Sequence, residues 1–144
     1  LPHDCLSPAI YVRDYFLEQW SNSEALSKAV ALTRQYREDY LERYRRAIAS
    51  GVKVGVGSDS VGMPATYSAR EFAALVNVGM SSMQAIQAGT RVNAELLGME
   101  SEIGTVETGK LADIIAVERD PLSDISELER VTFVMLGGEV IRSD

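Results

Sequence analysis

Apolar and polar positions divide this chain into stretches of different period. Val52, Val54 and Val56 alternate with small or polar residues and run into Gly57-Ser58-Asp59, a period of two that predicts a strand over 52–57 ending in a loop. Before it, Leu26, Val30, Tyr36, Tyr40, Leu41, Tyr44, Ala47 and Ile48 recur at spacings of three and four. That spacing predicts a helix over about 23–50, stopped by Gly51, with Asp39–Arg43 and Glu42–Arg46 as acid-before-base pairs on its polar face. Residues 1–23 mix the breakers Pro2, Pro8, Ser21, Asn22 and Ser23 with Tyr11, Tyr15, Phe16 and Trp20. They predict a long loop with one or two helical turns, which either lids a site or packs its aromatics on a neighbouring helix.

Beyond the strand, Ser68 and Glu71 have the spacing of a capping box for a helix through about 78, ended at Gly79. Ser81 and Gln84 repeat the device for a short helix through about 88, and Thr90 is placed to cap a third over 91–97, closed by Gly98. Helix capping and packing account for Thr90 and Asn93 without a site. From Ile103 the period changes to short strands at 103–106, 112–117, 131–136 and 139–142, with turns at Gly109-Lys110 and Asp120-Pro121 and a helical piece near 123–128. The Gly137-Gly138 link between alternating apolar runs signals a hairpin. The chain therefore divides near Gly98 into an α/β part, residues 1–98, and a small β part, residues 99–144.

A Val-rich strand flanked by helices reads as a member of a parallel sheet, yet the first 98 residues offer no second comparable run to pair with it. Unpaired buried backbone groups cost about 1–3 kcal/mol each, so its neighbours are expected from outside this sequence. The opening Leu1-Pro2-His3-Asp4 has no initiator Met, which fits the same expectation: the C-terminal part of a larger protein, or one chain of a complementary assembly.

Composition narrows the function classes. With 46% hydrophobic and 24% charged residues, the 144-residue chain reads as a soluble globular protein. A net charge of −7, with ten acids against four bases in residues 101–144, argues against nucleic acid and anionic membrane surfaces as partners. No apolar run approaches the roughly 20 residues needed to span a bilayer, and the start lacks the pattern of a targeting segment. One cysteine, Cys5, permits no internal disulfide and is compatible with a cytoplasmic location. Cys5 and His3 have no third group to orient them as a nucleophile pair. The basic residues between Arg34 and Arg46 are interleaved with acids and read as a solvated helix face. Gly55-Val56-Gly57 lacks the third glycine and following helix of a dinucleotide loop. Asp59 is the leading functional candidate, because α/β enzymes place reactive groups at the C-terminal ends of their strands; its rival reading is a turn cap within Ser58-Asp59-Ser60.

Five stretches together carry a family resemblance: Gly51-Val-Lys-Val-Gly-Val-Gly-Ser-Asp59; Glu71 to Gly79-Met80-Ser81; Ala85-Ile-Gln-Ala-Gly-Thr90-Arg-Val-Asn93-Ala-Glu-Leu-Leu-Gly98; Ile103-Gly-Thr-Val-Glu-Thr-Gly-Lys110-Leu-Ala-Asp113-Ile-Ile-Ala-Val; and Asp120-Pro-Leu-Ser-Asp-Ile with Val134 to Val140 around the glycine pair. In order and spacing they resemble the end of a metal-dependent amidohydrolase of the imidazolonepropionase and Xaa-Pro dipeptidase (prolidase) type, over roughly residues 36–144. The resemblance implies an α/β fold, the C-terminal portion of a (β/α)8 TIM barrel whose last strand is 52–57, plus strands of a small composite β-sandwich shared with N-terminal strands. It puts Asp59 at the last-strand aspartate, contacting a divalent metal, Zn2+ by preference and one or two ions, and acting as general base toward the metal-bound water. Bound Zn2+ lowers the pKa of water from about 15.7 to about 7, which makes such a transfer feasible.

The family's His-x-His pair, its carboxylated lysine and its two later histidines have no counterpart here. His3, the one histidine, falls on the loop after strand seven, where the resemblance implies substrate contact instead of metal ligation. By itself the segment is expected to be inactive, with the missing N-terminal part of the barrel as its partner and a homo-oligomer as the family's habit. The expected reaction is hydrolysis of an amide or peptide C–N bond, in an Xaa-Pro dipeptide or an N-acyl amino acid. Cyclic-amide hydrolysis and deamination are near neighbours, and a non-catalytic barrel or Rossmann-like nucleotide binder is the rival from another class.

Overall fold

The valine strand finds one of its neighbours inside the chain. In the computed structural model, which describes residues 5–60 and 62–144, β1 (Cys5–Leu6) runs parallel to β2 (Lys53–Val54), with Cys5 opposite Lys53 and Leu6 opposite Val54. The Gly55 N–H extends the pairing by donating to Leu6 O at 2.9 Å. The expectation that both neighbours come from elsewhere is thus corrected on one side; two residues ahead of Pro8 were too short a run to announce a strand. On the other edge of β2 no strand among the described residues pairs with it. His3 lies outside the described residues.

The stretch expected to be mostly loop forms a ten-residue helix, α1 (Tyr11–Trp20), and α2 (Ser27–Ala49) follows as the spacing predicts. Arg37 joins them, its Nε and Nη2 each 2.8 Å from a carboxylate oxygen of Asp14. The two acid-before-base pairs expected on α2 do not form. Arg45 reaches Glu42 at 3.5 Å and Glu38 at 3.6 Å instead, as exposed long side chains choose among several partners at little cost.

After β2 a loop and a 3-10 turn (Ala65–Ala69) lead into α3 (Arg70–Asn77), α4 (Ser82–Gln87), a π turn (Ala88–Val92) and α5 (Asn93–Leu97), which ends at Gly98 with φ 69°. The Ser81 capping box is present: the Gln84 N–H donates to Ser81 Oγ at 3.2 Å, and the Ser81 N–H donates to Gln84 Oε1 at 2.8 Å. The other two expected caps are absent. Ser68 donates to Ser58 Oγ at 3.1 Å, and Thr90 donates to Ile86 O at 2.8 Å, so the backbone passes from α4 to α5 without a break. Ile10, Leu41, Val54, Leu75, Val78 and Ala85 form the main core between the strand pair and the helices.

The tail builds a separate antiparallel sheet of β3 (Ile114–Val117), β4 (Val131–Leu136) and β5 (Glu139–Ser143), in that order. Gly137 and Gly138, at φ 57° and 87°, make the hairpin link between Leu136 and Glu139, because a two-residue turn of this hand needs left-handed backbone at both positions. Asp113 Oδ1 accepts the Gly137 N–H at 2.7 Å, and Lys110 Nζ donates to Glu100 O at 2.7 Å and Thr105 Oγ1 at 2.6 Å, so both residues hold turns. The strand expected at 103–106 is absent: these residues are bends and coil, and Val106 is 83% exposed with no partner strand to receive it. The helical piece expected near 123–128 is a 3-10 turn (Ile125–Glu129) that packs on α3, where Glu129 meets Arg70 at 2.9 Å. Among the described residues no helix is long and apolar enough to cross a membrane.

Candidate functional site

Because β1 and β2 are parallel, their C-terminal ends lie on one side, and the segments 7–10 and 57–69 both open there. They touch: a Cβ on Gly57 would meet Ser7 Oγ, so a side chain there would require the Ser7 hydroxyl to turn away. Two residues on stands Asp59, exposed and at φ 45°, the one non-glycine residue with positive φ among those described. Such backbone costs about 1–2 kcal/mol for a residue with a Cβ, although aspartate tolerates it better than most. The loop that carries it is closed by other groups. Ser68 Oγ bonds Ser58 Oγ, the Met63 N–H donates to Ser60 O at 3.1 Å, and Met63 is buried.

Two side chains that sequence reasoning read as helix-capping or packing groups fix this surface from behind. Glu71, 0% exposed, accepts the Ile10 N–H and the Tyr11 N–H, each at 2.8 Å. It therefore caps α1 from α3 and anchors the 7–10 loop, instead of closing a box with Ser68. Burial pushes its pKa from 4.5 up to about 7; the two N–H bonds pull the other way and are outweighed, and Asp14 adds a small upward push. A signal for it existed, since Glu71 occupies the first place of the stripe Glu71, Ala74, Leu75 and Val78, otherwise apolar at spacings of three and four.

Asn93 is the second. Its Oδ1 accepts the Val56 N–H at 3.0 Å and its Nδ2 donates to Val56 O at 2.9 Å. Nearby, Lys53 Nζ lies 2.7 Å from Glu95 Oε2, and the Lys53 ammonium holds the Glu95 carboxyl below the usual carboxylate range. Both contacts tie α5 to the strand that leads to Asp59. Beside the 57–69 loop, Tyr11, Tyr15 and Tyr67 meet edge to face, and the Arg70 guanidinium lies 4.2 Å from the Tyr67 ring centre. Phe16 stacks on Trp20 at 4.5 Å.

A cavity of about 510 Å3 opens between α1, α2 and α3, with Asp14, Arg37, Arg70 and Glu129 among its lining residues, while a smaller one of about 280 Å3 lies along the loop at 105–114. Asp59 lines neither, and in the larger Asp14 is already paired with Arg37 and Glu129 with Arg70. Nor do the described residues form a metal site, since no three His, Cys, Asp or Glu side chains among them come together. Asp59 offers one carboxylate where metal sites use three or four protein ligands, so a metal does not fit the described residues on their own.

Comparison with known proteins places these features in a wider frame. A model of the Amidohydrolase family matches residues 14–141. Ochratoxinase of Aspergillus niger is 34% identical over 128 residues, covering 85% of this chain and 26% of that protein. Imidazolonepropionase of Symbiobacterium thermophilum is 37% identical over 76 residues, 51% of this chain and 18% of that protein. A solved Xaa-Pro dipeptidase with methionine bound in its active site superposes with a TM-score of 0.85 at 32% identity, over 96% of this chain and 34% of that one. The chain thus spans about a quarter of the ochratoxinase and a third of the dipeptidase.

Proposed function

This chain belongs to the amidohydrolase family, and on that premise we propose that it forms the closing part of an enzyme that hydrolyses C–N bonds, with Asp59 as the general base. The observation that carries the reading is the exposed carboxylate of Asp59, held in left-handed backbone just past the end of β2, on the side where the loops after both parallel strands open. A carboxylate there accepts the proton of the water that attacks an amide carbon and passes it to the departing nitrogen. The similarity to barrel hydrolases supports a partial (β/α)8 barrel, dividing near Gly98 from strands that share a β-sandwich with an upstream segment.

An amide of an amino acid, as in an Xaa-Pro dipeptide or an N-acyl amino acid, is the substrate class this reading favours. It is supported by likeness to ochratoxinase and to a dipeptidase that holds methionine. Hydrolysis of a cyclic amide is the second reading, favoured by the match to imidazolonepropionase. Members of the superfamily are generally metal-dependent. Since the described residues supply at most Asp59 to an ion, the remaining ligands would come from polypeptide beyond them, and His3 would contact substrate. Cytoplasmic location and self-association belong to the same proposal.

The test is made on the full-length polypeptide. Asn tolerates the backbone of position 59, so Asp59→Asn is expected to fold normally and to lose turnover by at least about 100-fold, the lower range for a general base. Wild-type turnover in that variant would remove Asp59 from the chemistry. Elemental analysis of the same preparation is expected to find one or two divalent ions per chain.

A further inference from the structure

Val56 lies three residues before Asp59, and its two backbone polar groups face away from β1. Alternate residues of a strand send these groups to opposite edges, and the Gly55 N–H is the one that meets Leu6 O. A neighbouring strand would normally receive Val56. Instead the Asn93 amide does so, with acceptor opposite donor and donor opposite acceptor, at 3.0 and 2.9 Å. Asparagine is the shortest side chain that presents both groups on one planar end, as a strand backbone does. Gly55 makes the approach possible: a Cβ there would meet Asn93 Oδ1 and, at 2.8 Å, Leu96 Cδ1.

We infer that Asn93 is a positioning residue for Asp59. It stands in for the ladder of an adjacent strand at Val56, ends pairing on that edge, and fixes the backbone from which the 57–59 turn departs. Gly55 and Asn93 form a single device, glycine supplying the space and asparagine the bonds. The inference rests on the general-base reading of Asp59. It adds that the geometry of that base is set from α5, and that the interaction serves turnover beyond its share in folding.

The full-length protein is assayed as wild type, Asn93→Asp, Gly55→Ala, the double variant and Asp59→Asn, each with its thermal midpoint. Asn93→Asp keeps the shape and the acceptor for the Val56 N–H, but sets a second oxygen against Val56 O. Gly55→Ala places a methyl where the amide oxygen sits. Each single change is expected to lower kcat by about 100-fold per folded molecule, the cost of a reacting group displaced by about 1 Å, with KM changed less than about twofold. The double variant is expected to fall no further than the worse single, because both break the same contact. In Asn93→Ala, the Val56 amide is expected to lose protection from hydrogen exchange while the Leu75 amide keeps it, a readout that needs no substrate.

An unchanged kcat in Asn93→Asp, losses that track only the unfolded fraction, additive losses in the double variant, or a Val56 amide still protected in Asn93→Ala would each overturn the inference. Should Gly55→Ala fail to fold, Asn93→Asp and the exchange measurement decide. If Asp59→Asn retains turnover, it is the general-base reading that fails. If Asp59→Asn is dead while Asn93→Asp is fully active, only the positioning role falls.

Discussion

Glu71 shows how much one side chain can govern. Its carboxyl is buried and takes two backbone N–H groups from a segment sixty residues away in sequence. With a pKa near 7 in place of 4.5, the folded protein holds a proton that the unfolded chain releases between about pH 4.5 and 7. The protonated group therefore favours folding below that window, and the contribution is lost as pH rises through 7. At roughly 1.4 kcal/mol per pKa unit the difference is about 3–4 kcal/mol. Glutamine copies the protonated acid in shape and charge, but its Nε2 donates only and cannot accept the second N–H. In urea unfolding, Glu71→Gln is expected to be less stable than wild type by about 1–3 kcal/mol at pH 5, where one buried N–H loses its acceptor, and the gap is expected to narrow by pH 8 as wild type loses the contribution of its protonated group. Curves that keep a constant offset across pH would refute the titration of Glu71.

Among elements, the features that were legible in the sequence are those whose cause is local. The Ser81 box depends on residues three apart, so spacing alone reveals it; Ser81→Ala is expected to cost about 1 kcal/mol by thermal melting. Ser68 has the same spacing to Glu71, but its hydroxyl is turned to Ser58 and the carboxylate to α1, so Ser68→Ala is expected to leave α3 intact. α1 was hidden because its N-terminus has no cap of its own: Ile10 offers none, and Glu71 acts from α3. The strand end and turn that carry Asp59 were legible from the valines and glycines before it. Asn93 was not, because a polar residue in a helical period looks the same whether it faces water or a strand edge.

At the scale of the molecule, the two sheets have opposite needs. β2 is buried at Val54 but pairs with a strand on one edge only among the described residues, whereas the tail sheet pairs its three strands in order, with β3 and β5 at its edges, and leaves Ile115, Leu136, Val140 and Ile141 exposed. Apolar side chains left exposed on one small sheet are what the proposed shared sandwich would cover. The isolated chain is expected to bind a hydrophobic dye and to scatter light at micromolar concentration, and the full-length protein to do neither. A dye-silent, monodisperse isolated chain would contradict a shared sandwich. A partial barrel is read only from family likeness, since two strands pairing through two residues each carry no closure of their own.

The π turn at Ala88–Val92 carries a consequence for how this polypeptide can change length. Because the wide turn holds about one residue more than an α turn does, relaxing it to ordinary α geometry keeps everything downstream in phase only if one residue is lost with it; relaxed at full length, it would rotate everything downstream by roughly 90° about the helical axis. The carboxamide would swing off the strand, and Lys53 would part from Glu95 in the same movement. These five behave as a gear whose tooth count is set by what it must mesh with.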